Sequence, residues 1–197
     1  MKKILIIGDT VAKYHPLNSI FPVTKVLGEE NLTFTNDYDY FTKLNDFDLL
    51  ICFVDAWFKE LSQGQTAALL DYVNGGGKIL SIHTGMSIQA TPGLEAVHGA
   101  KFLDHPPYCE ILVNALDHHL TKGIKDFQIN DEPYHFEVYE DFDVFLSYEF
   151  DGKTIPAGWE KRQGNGKLIY LMPGHDEEVF KCEDYLKLIK NCVDYLA

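Results

Sequence analysis

The segment Gly75-Gly76-Gly77-Lys78-Ile79-Leu80-Ser81-Ile82-His83-Thr84-Gly85 constrains the fold of this chain more than any other. A glycine triplet ends whatever helix precedes it, and Ile79-Leu80-Ser81-Ile82 then reads as a strand buried on both faces, the pattern of a parallel sheet covered by helices. The first polar residue after such a strand emerges at the carboxyl edge of the sheet, where open α/β folds bind ligands. Position alone makes His83 a site candidate.

Strand-like runs at Lys3–Ile7, Leu32–Thr35 and Asp48–Val54 come before it, with room for helices between them. That alternation predicts parallel strands joined by crossover helices. The third crossover is the clearest: Ser62 and Gln65 fit a capping box, and Leu69, Leu70 and Val73 fall at helical spacing before the glycine triplet. After His83 the pattern changes. Pro92, Pro106, Pro107 and Pro133 punctuate the chain, and strands at Cys109–Val113, Phe127–Asn130 and Val144–Phe150 come without long helices between them. Lys167–Met172 is another buried strand, and Tyr185, Ile189, Cys192 and Leu196 make one face of a closing helix. The expectation is a single domain over 1–197 of the α/β class. Its sheet is expected to be mostly parallel and flanked by helices, with an antiparallel or loop-rich excursion in the second half.

Composition excludes several functions. Thirty acidic against 17 basic residues give a net charge of −13 with no Lys/Arg cluster, which would repel polyphosphate backbones, so no nucleic-acid partner is expected. No apolar run approaches the roughly 20 residues of a membrane span, so no membrane partner is expected either. The apolar run in Met1-Lys2-Lys3-Ile4-Leu5-Ile6-Ile7-Gly8 is shorter than the ~7–15 residues of a secretory signal core. It reads as a first strand of a cytoplasmic protein. Cys52, Cys109, Cys182 and Cys192 form no Cys-x-x-Cys pair, which fits reduced thiols rather than disulfides or a zinc-cysteine site.

Three histidines follow apolar strands: His15 after the first, His83 after the fourth and His175 after Leu168–Met172. Parallel strands share one carboxyl edge, so these histidines are expected to converge there. In Pro173-Gly174-His175-Asp176-Glu177 the glycine permits a tight turn, and the acids after the histidine could fix its tautomer. Asp131 and Glu132 would point to opposite faces of an extended segment; Glu132 shares its face with Tyr134, a ring suited to a sugar, and is the favoured site carboxylate. Nitrogen and oxygen ligands from His83, His105, Glu132 and His175 are of the kind that zinc, manganese or iron accept, although they are scattered and form no local motif. The competing reading is metal-free acid–base work by Glu132 and a histidine. Tyr14, His15, His105, Tyr134, Trp159 and Asp176 are the expected substrate-binding residues. Trp159 lies in a glycine-rich, charged stretch, unlike a core tryptophan. An FMN carrier is disfavoured because Gly8-Asp9-Thr10-Val11-Ala12-Lys13 lacks a hydroxyl-rich phosphate cradle.

The strand and turn through His83 resemble those of class I glutamine amidotransferases, which carry cysteine where this chain has His83. His175-Asp176-Glu177 resembles their His-x-Glu segment. Without a thiolate there a thioester pathway has no nucleophile, so glutaminase activity is expected to be absent. Tyr14-His15-Pro16, Gly99-Ala100-Lys101-Phe102 with His105-Pro106, and His119-Leu120-Thr121-Lys122-Gly123 have counterparts, in this order, in the ThuA-like, or trehalose-utilisation, family. So do Asp131-Glu132-Pro133-Tyr134, the stretch from Pro156 through Trp159 to Gly166-Lys167, and Gly174-His175-Asp176. Ala100 and Lys167 depart from that family's usual glycine and arginine. The resemblance implies a flavodoxin-like, class I glutamine amidotransferase-like fold and a link to sugar metabolism. With the strand-end histidines it leads to a carbohydrate-processing enzyme, a hydrolase or lyase for a sugar, keto-sugar or glycoside, with His83, Glu132 and His175 catalytic. The alternative is a non-catalytic sugar-binding or regulatory protein. The expected partner is a small carbohydrate, and a homo-oligomer stays open.

Overall fold

The computed structural model describes residues 2–197. Its strands are β1 (Ile4–Gly8), β2 (Leu32–Thr35), β3 (Leu49–Phe53), β4 (Lys78–Ile82), β5 (Ala100–Asp104), β6 (Cys109–Ala115), β7 (Phe127–Asp131), β8 (His135–Val138), β9 (Asp143–Phe150), β10 (Lys153–Gln163) and β11 (Gly166–Leu171). The helices are α1 (Thr24–Leu27), α2 (Gln63–Asn74) and α3 (Glu183–Leu196). Nine strands form one sheet in the order β2-β1-β3-β4-β11-β10-β9-β6-β7, while β5 and β8 pair separately. β2, β1, β3, β4 and β11 run parallel, and the pairings from β11 out to β7 are antiparallel. The fold is a mixed α/β sheet with the expected antiparallel excursion in its second half.

Burial explains which strands sit where. β1 and β3 are buried throughout and β11 nearly so, as suits strands covered on both faces. β7, at the far edge, alternates buried and exposed, so one of its faces meets solvent. Ser62 caps α2 in a reciprocal capping box with Gln65, and Gly76, at φ +118, turns the chain out of that helix towards β4. α2 and α3 both pack on β4.

Three sequence expectations need correction. The crossovers flanking β2 are not full helices: they are 3₁₀ segments at Leu17–Val23 and Tyr38–Asp46 and the single turn α1. Pro22 lies inside the first segment, and a proline at that point removes a helical donor. β5, β8 and β10 are additional strands. β10 escapes a pattern reading because it contains Pro156 and Gly158, where its pairing with β9 slips by a bulge. Trp159, expected to face a sugar, lies in the middle of β10 and is fully buried. Its indole N–H donates to the carbonyl of His98 (2.9 Å), and its ring stacks on Phe142 at 4.6 Å. It is a core residue.

Direction along the sheet brings the site together. Four successive antiparallel pairings separate β11 from β7, so β7 again points the same way as β11. The chain leaving β7, Asp131-Glu132, therefore emerges on the same edge as the carboxyl ends of β1, β3, β4 and β11. Gly166, which opens β11, is packed so closely that a Cβ there would stand 2.1 Å from the Val73 carbonyl oxygen and 2.4 Å from that of Gly77. Gly166→Ala should therefore cost about 1–3 kcal/mol as backbone is pushed apart. Urea unfolding checks this, and an unchanged midpoint would contradict the packing described.

Candidate functional site

His83 is the first residue beyond β4 and takes φ +45, one of two non-glycine residues at positive φ among the described residues. Such a conformation costs on the order of 1–3 kcal/mol and is retained where the surroundings demand it. Here they do: the Tyr170 hydroxyl donates to the His83 carbonyl (3.2 Å), and the His83 ring Nδ1–H donates to the Met172 carbonyl (2.6 Å). Since a carbonyl only accepts, the proton is on Nδ1 and Nε2 carries a lone pair. Burial pushes the His83 pKa down to about 4, and the neighbouring His15 and His175 add to that shift, while Glu132 and Met172 oppose it. The ring is neutral and rests against Tyr134, with centroids 4.3 Å apart.

The Glu132 carboxylate is the centre of the group. Its Oε2 lies 3.1 Å from His175 Nδ1, 3.7 Å from His83 Nε2 and 3.8 Å from His15 Nε2. Burial alone would raise its pKa, but the imidazoles of His15, His175 and His83 gathered around it hold it well below the usual carboxylate range. His15 is buried too, which lowers its pKa, yet the carboxylates of Asp55 and Glu132 more than offset this and push it up to about 9. His15 Nδ1–H donates to Asp55 Oδ2 (3.1 Å), leaving Nε2 3.1 Å from His175 Nδ1.

Acidic residues position these rings. Asp131, fully buried, accepts the Gly174 N–H on Oδ2 and the Glu132 N–H on Oδ1, both at 2.7 Å. Burial pushes its pKa up to about 7 against the pull of those backbone donors. Asp9 accepts the Tyr38 hydroxyl (2.7 Å) and the Asp55 N–H (2.8 Å), and so holds Asp55 beside His15. Sequence reasoning overlooked Asp55, although it follows the buried strand β3 as His83 follows β4. The same positional signal would have found it.

The candidate residues divide into those the structure brings together and those it does not. His15, His83, Glu132 and His175 offer ligand atoms that all lie within 4.8 Å of one another. His105, expected among the metal ligands, stands outside this set: its Nε2 is 3.9 Å from Glu132 Oε2 on the more open side, and its Nδ1–H donates to the Pro106 carbonyl. His15 takes its place. A cleft of about 960 Å³ opens over the group, lined by Tyr14, His15, His105, Glu132 and Tyr134, with Trp57 and Phe58 across it. Tyr134 is almost wholly buried, so it offers this cleft only a sliver of its ring. Tyr14 is exposed at the rim. Asp176 does not line the cleft: it accepts from the Tyr108 hydroxyl (2.8 Å) and the Glu178 N–H (2.9 Å) and so secures the turn after His175.

The thiol nearest the His83 turn cannot act as a nucleophile there. Cys52 is buried, its Sγ faces the Gly85 carbonyl at 3.9 Å, and burial pushes its pKa up to about 12. The turn at His175 is equally constrained. Gly174 lies at φ +151, and a Cβ there would stand 2.8 Å from the His83 Cβ and 2.9 Å from Ile82 Cγ2.

Residues 3–196 match the family model ThuA, described as trehalose utilisation, so the chain belongs to the ThuA family. No curated protein matches it. Among solved structures it is similar to a ThuA-like protein from Bacteroides uniformis, with 20% identity, a TM-score of 0.81, and 99% of this chain and 91% of that one covered. A ThuA-like protein from Parabacteroides merdae gives 15% identity and a TM-score of 0.82 over 99% and 89% of the two chains. The β-galactosidase from Rahnella sp. R3 shares the fold at 13% identity and a TM-score of 0.71, with all of this chain covering 32% of the enzyme. No helix among the described residues is long and apolar enough to cross a membrane.

Gly174→Ala should lower stability by about 1–3 kcal/mol, because alanine is strained at that φ and its methyl would displace His83. Thermal unfolding followed by circular dichroism is the check, and a wild-type midpoint would show that the His83–Gly174 contact is not tight.

Proposed function

We propose that this ThuA-family chain is a carbohydrate-processing enzyme that carries out hydrolysis or elimination on a small sugar, keto-sugar or glycoside. The observation that carries the reading is the convergence of three imidazoles on the Glu132 carboxylate at the floor of a cleft. The family description supplies the link to sugars. Neutral His83 is a group that accepts a proton, ionised Glu132 stabilises positive charge on the imidazoles around it, and His15, pushed up to about 9, is a group that donates one. Acid and base held apart in this way within one site suit proton removal from a water or a carbon-bound hydrogen, with a proton returned to the departing oxygen. His83, Glu132 and His175 are the catalytic residues in this reading, with His15 as the proton donor. Tyr14, His105 and the Trp57–Phe58 wall would contact the sugar, whose apolar faces suit aromatic rings. Four free cysteines agree with a cytoplasmic setting.

Screening purified protein against keto-sugars and glycosides for product should reveal turnover. His83→Ala and His175→Ala should each lower kcat/KM by about 10²–10⁴-fold, the usual weight of a general acid or base. Full turnover in both variants would reject the assignment. Saturable carbohydrate binding without product on prolonged incubation would favour the sugar-binding or regulatory alternative instead.

A second prediction concerns the amidotransferase-like turn. With His83 where that superfamily carries cysteine, and Cys52 held protonated, glutamine should yield no ammonia above background in a coupled assay. Measurable release abolished in Cys52→Ala would overturn this.

A further inference from the structure

We infer that His15 Nε2, His83 Nε2, a Glu132 carboxylate oxygen and His175 Nδ1 form a binding site for one divalent transition-metal ion of the zinc, manganese or iron class. Ligands ~2.0–2.2 Å from a tetrahedral ion stand ~3.3–3.6 Å from one another. Four separations within the group are 3.1, 3.1, 3.7 and 3.8 Å, which bracket that range before any ion draws the ligands in.

A second observation is independent of the spacing. His83 Nε2 is fully buried and has no hydrogen-bond partner. The proton on the other ring nitrogen is committed to Met172, so the orphaned atom is a lone pair aimed at the group. A buried polar group left unsatisfied is costly, and an ion on that lone pair would remove the cost. The outer contacts are of the kind that orient metal-bound imidazoles: Met172 O on His83 Nδ1 and Asp55 on His15 Nδ1. The Asp55 and Asp131 carboxyl groups lie 3.1 and 3.6 Å from the His15 and His83 ring nitrogens that face away from the ion. Of the four groups His15 and Glu132 line the cleft, so a further ligand such as a substrate oxygen would have to approach the ion from their side, where His105 Nε2 stands 3.9 Å from Glu132 Oε2.

The other histidine-rich group, His118, His119 and Glu160, lacks this arrangement. His118 Nδ1 accepts the Leu120 N–H and Nε2 donates to Asp143, so neither ring nitrogen of His118 presents a free lone pair. It serves as the control.

The test uses the full untagged chain, purified without chelators, with metal content read by inductively coupled plasma mass spectrometry. About one ion per chain is expected. After removal by chelator, zinc or manganese ions should rebind in a calorimetric titration and raise the thermal midpoint. His83→Ala and Glu132→Gln should each weaken binding more than about tenfold, whereas His118→Ala should bind like the wild type. Should His83→Ala fail to fold, the near-isosteric Glu132→Gln carries the test. The inference is overturned if the stripped protein binds neither zinc, manganese nor ferrous ions in molar excess. Wild-type binding by Glu132→Gln, or loss of binding in His118→Ala, would also overturn it. Because no substrate enters the experiment, a metal-free result leaves the carbohydrate reading standing, and a failed substrate screen leaves the metal site standing.

Discussion

A single buried carboxylate ties the outermost strand of the sheet back to its centre. Asp131 ends β7, at one extreme of the strand order, and accepts the backbone N–H of Gly174, just beyond the central strand β11. Its other oxygen accepts the N–H of Glu132. Each is a hydrogen bond from a neutral donor to a buried acid, stronger than an average backbone bond when the acid is ionised. Together they fix two turns at once, one carrying Glu132 and the other His175. The distances within the imidazole–carboxylate group follow from that clasp, because neither turn can shift without breaking one of its two arms.

The same group shows how a strongly acidic protein concentrates basic nitrogen in one place. Three rings share the surroundings of one carboxylate oxygen, yet their protonation differs. Full burial keeps His83 neutral, while Asp55 and Glu132 make His15 a cation. Chemistry that needs a proton donor, a proton acceptor and a free lone pair finds all three within a few ångströms.

The parts of this arrangement legible in the sequence are those governed by one strand at a time. Leu32–Thr35 and Lys78–Ile82 read correctly to the residue because their apolar runs are bounded by polar residues and glycine. His83 and His175 could be placed at one edge because each follows a buried strand, and β4 and β11 are neighbours. Glu132 was favoured over Asp131 on strand alternation, and the two residues do divide their work: Asp131 turns to the backbone and Glu132 to the histidines. What escaped depends on pairing between distant segments. Trp159 looked solvent-facing because its neighbours are glycine and charged residues, yet a bulged strand carries it into the core. That His15 rather than His105 joins the closest group is not legible in the sequence, because the turn after β1 has no regular pattern. An isolated parallel bridge from Asp9 to Pro16 sets it, and no periodicity reports that.

β7 pairs with a single neighbour and is the last strand outward in the sheet, yet it delivers the only acid among the four converging side chains. Those side chains come from residues 15, 83, 132 and 175, so nearly the whole chain must be in register before they meet. Contacts this distant in sequence form late, after the loop-closure entropy of every intervening segment has been overcome. The group is thus a report on the completeness of folding. A chain with its parallel half formed but its outer strands unpaired would present histidines without their carboxylate, and anything recognising all four groups would ignore it.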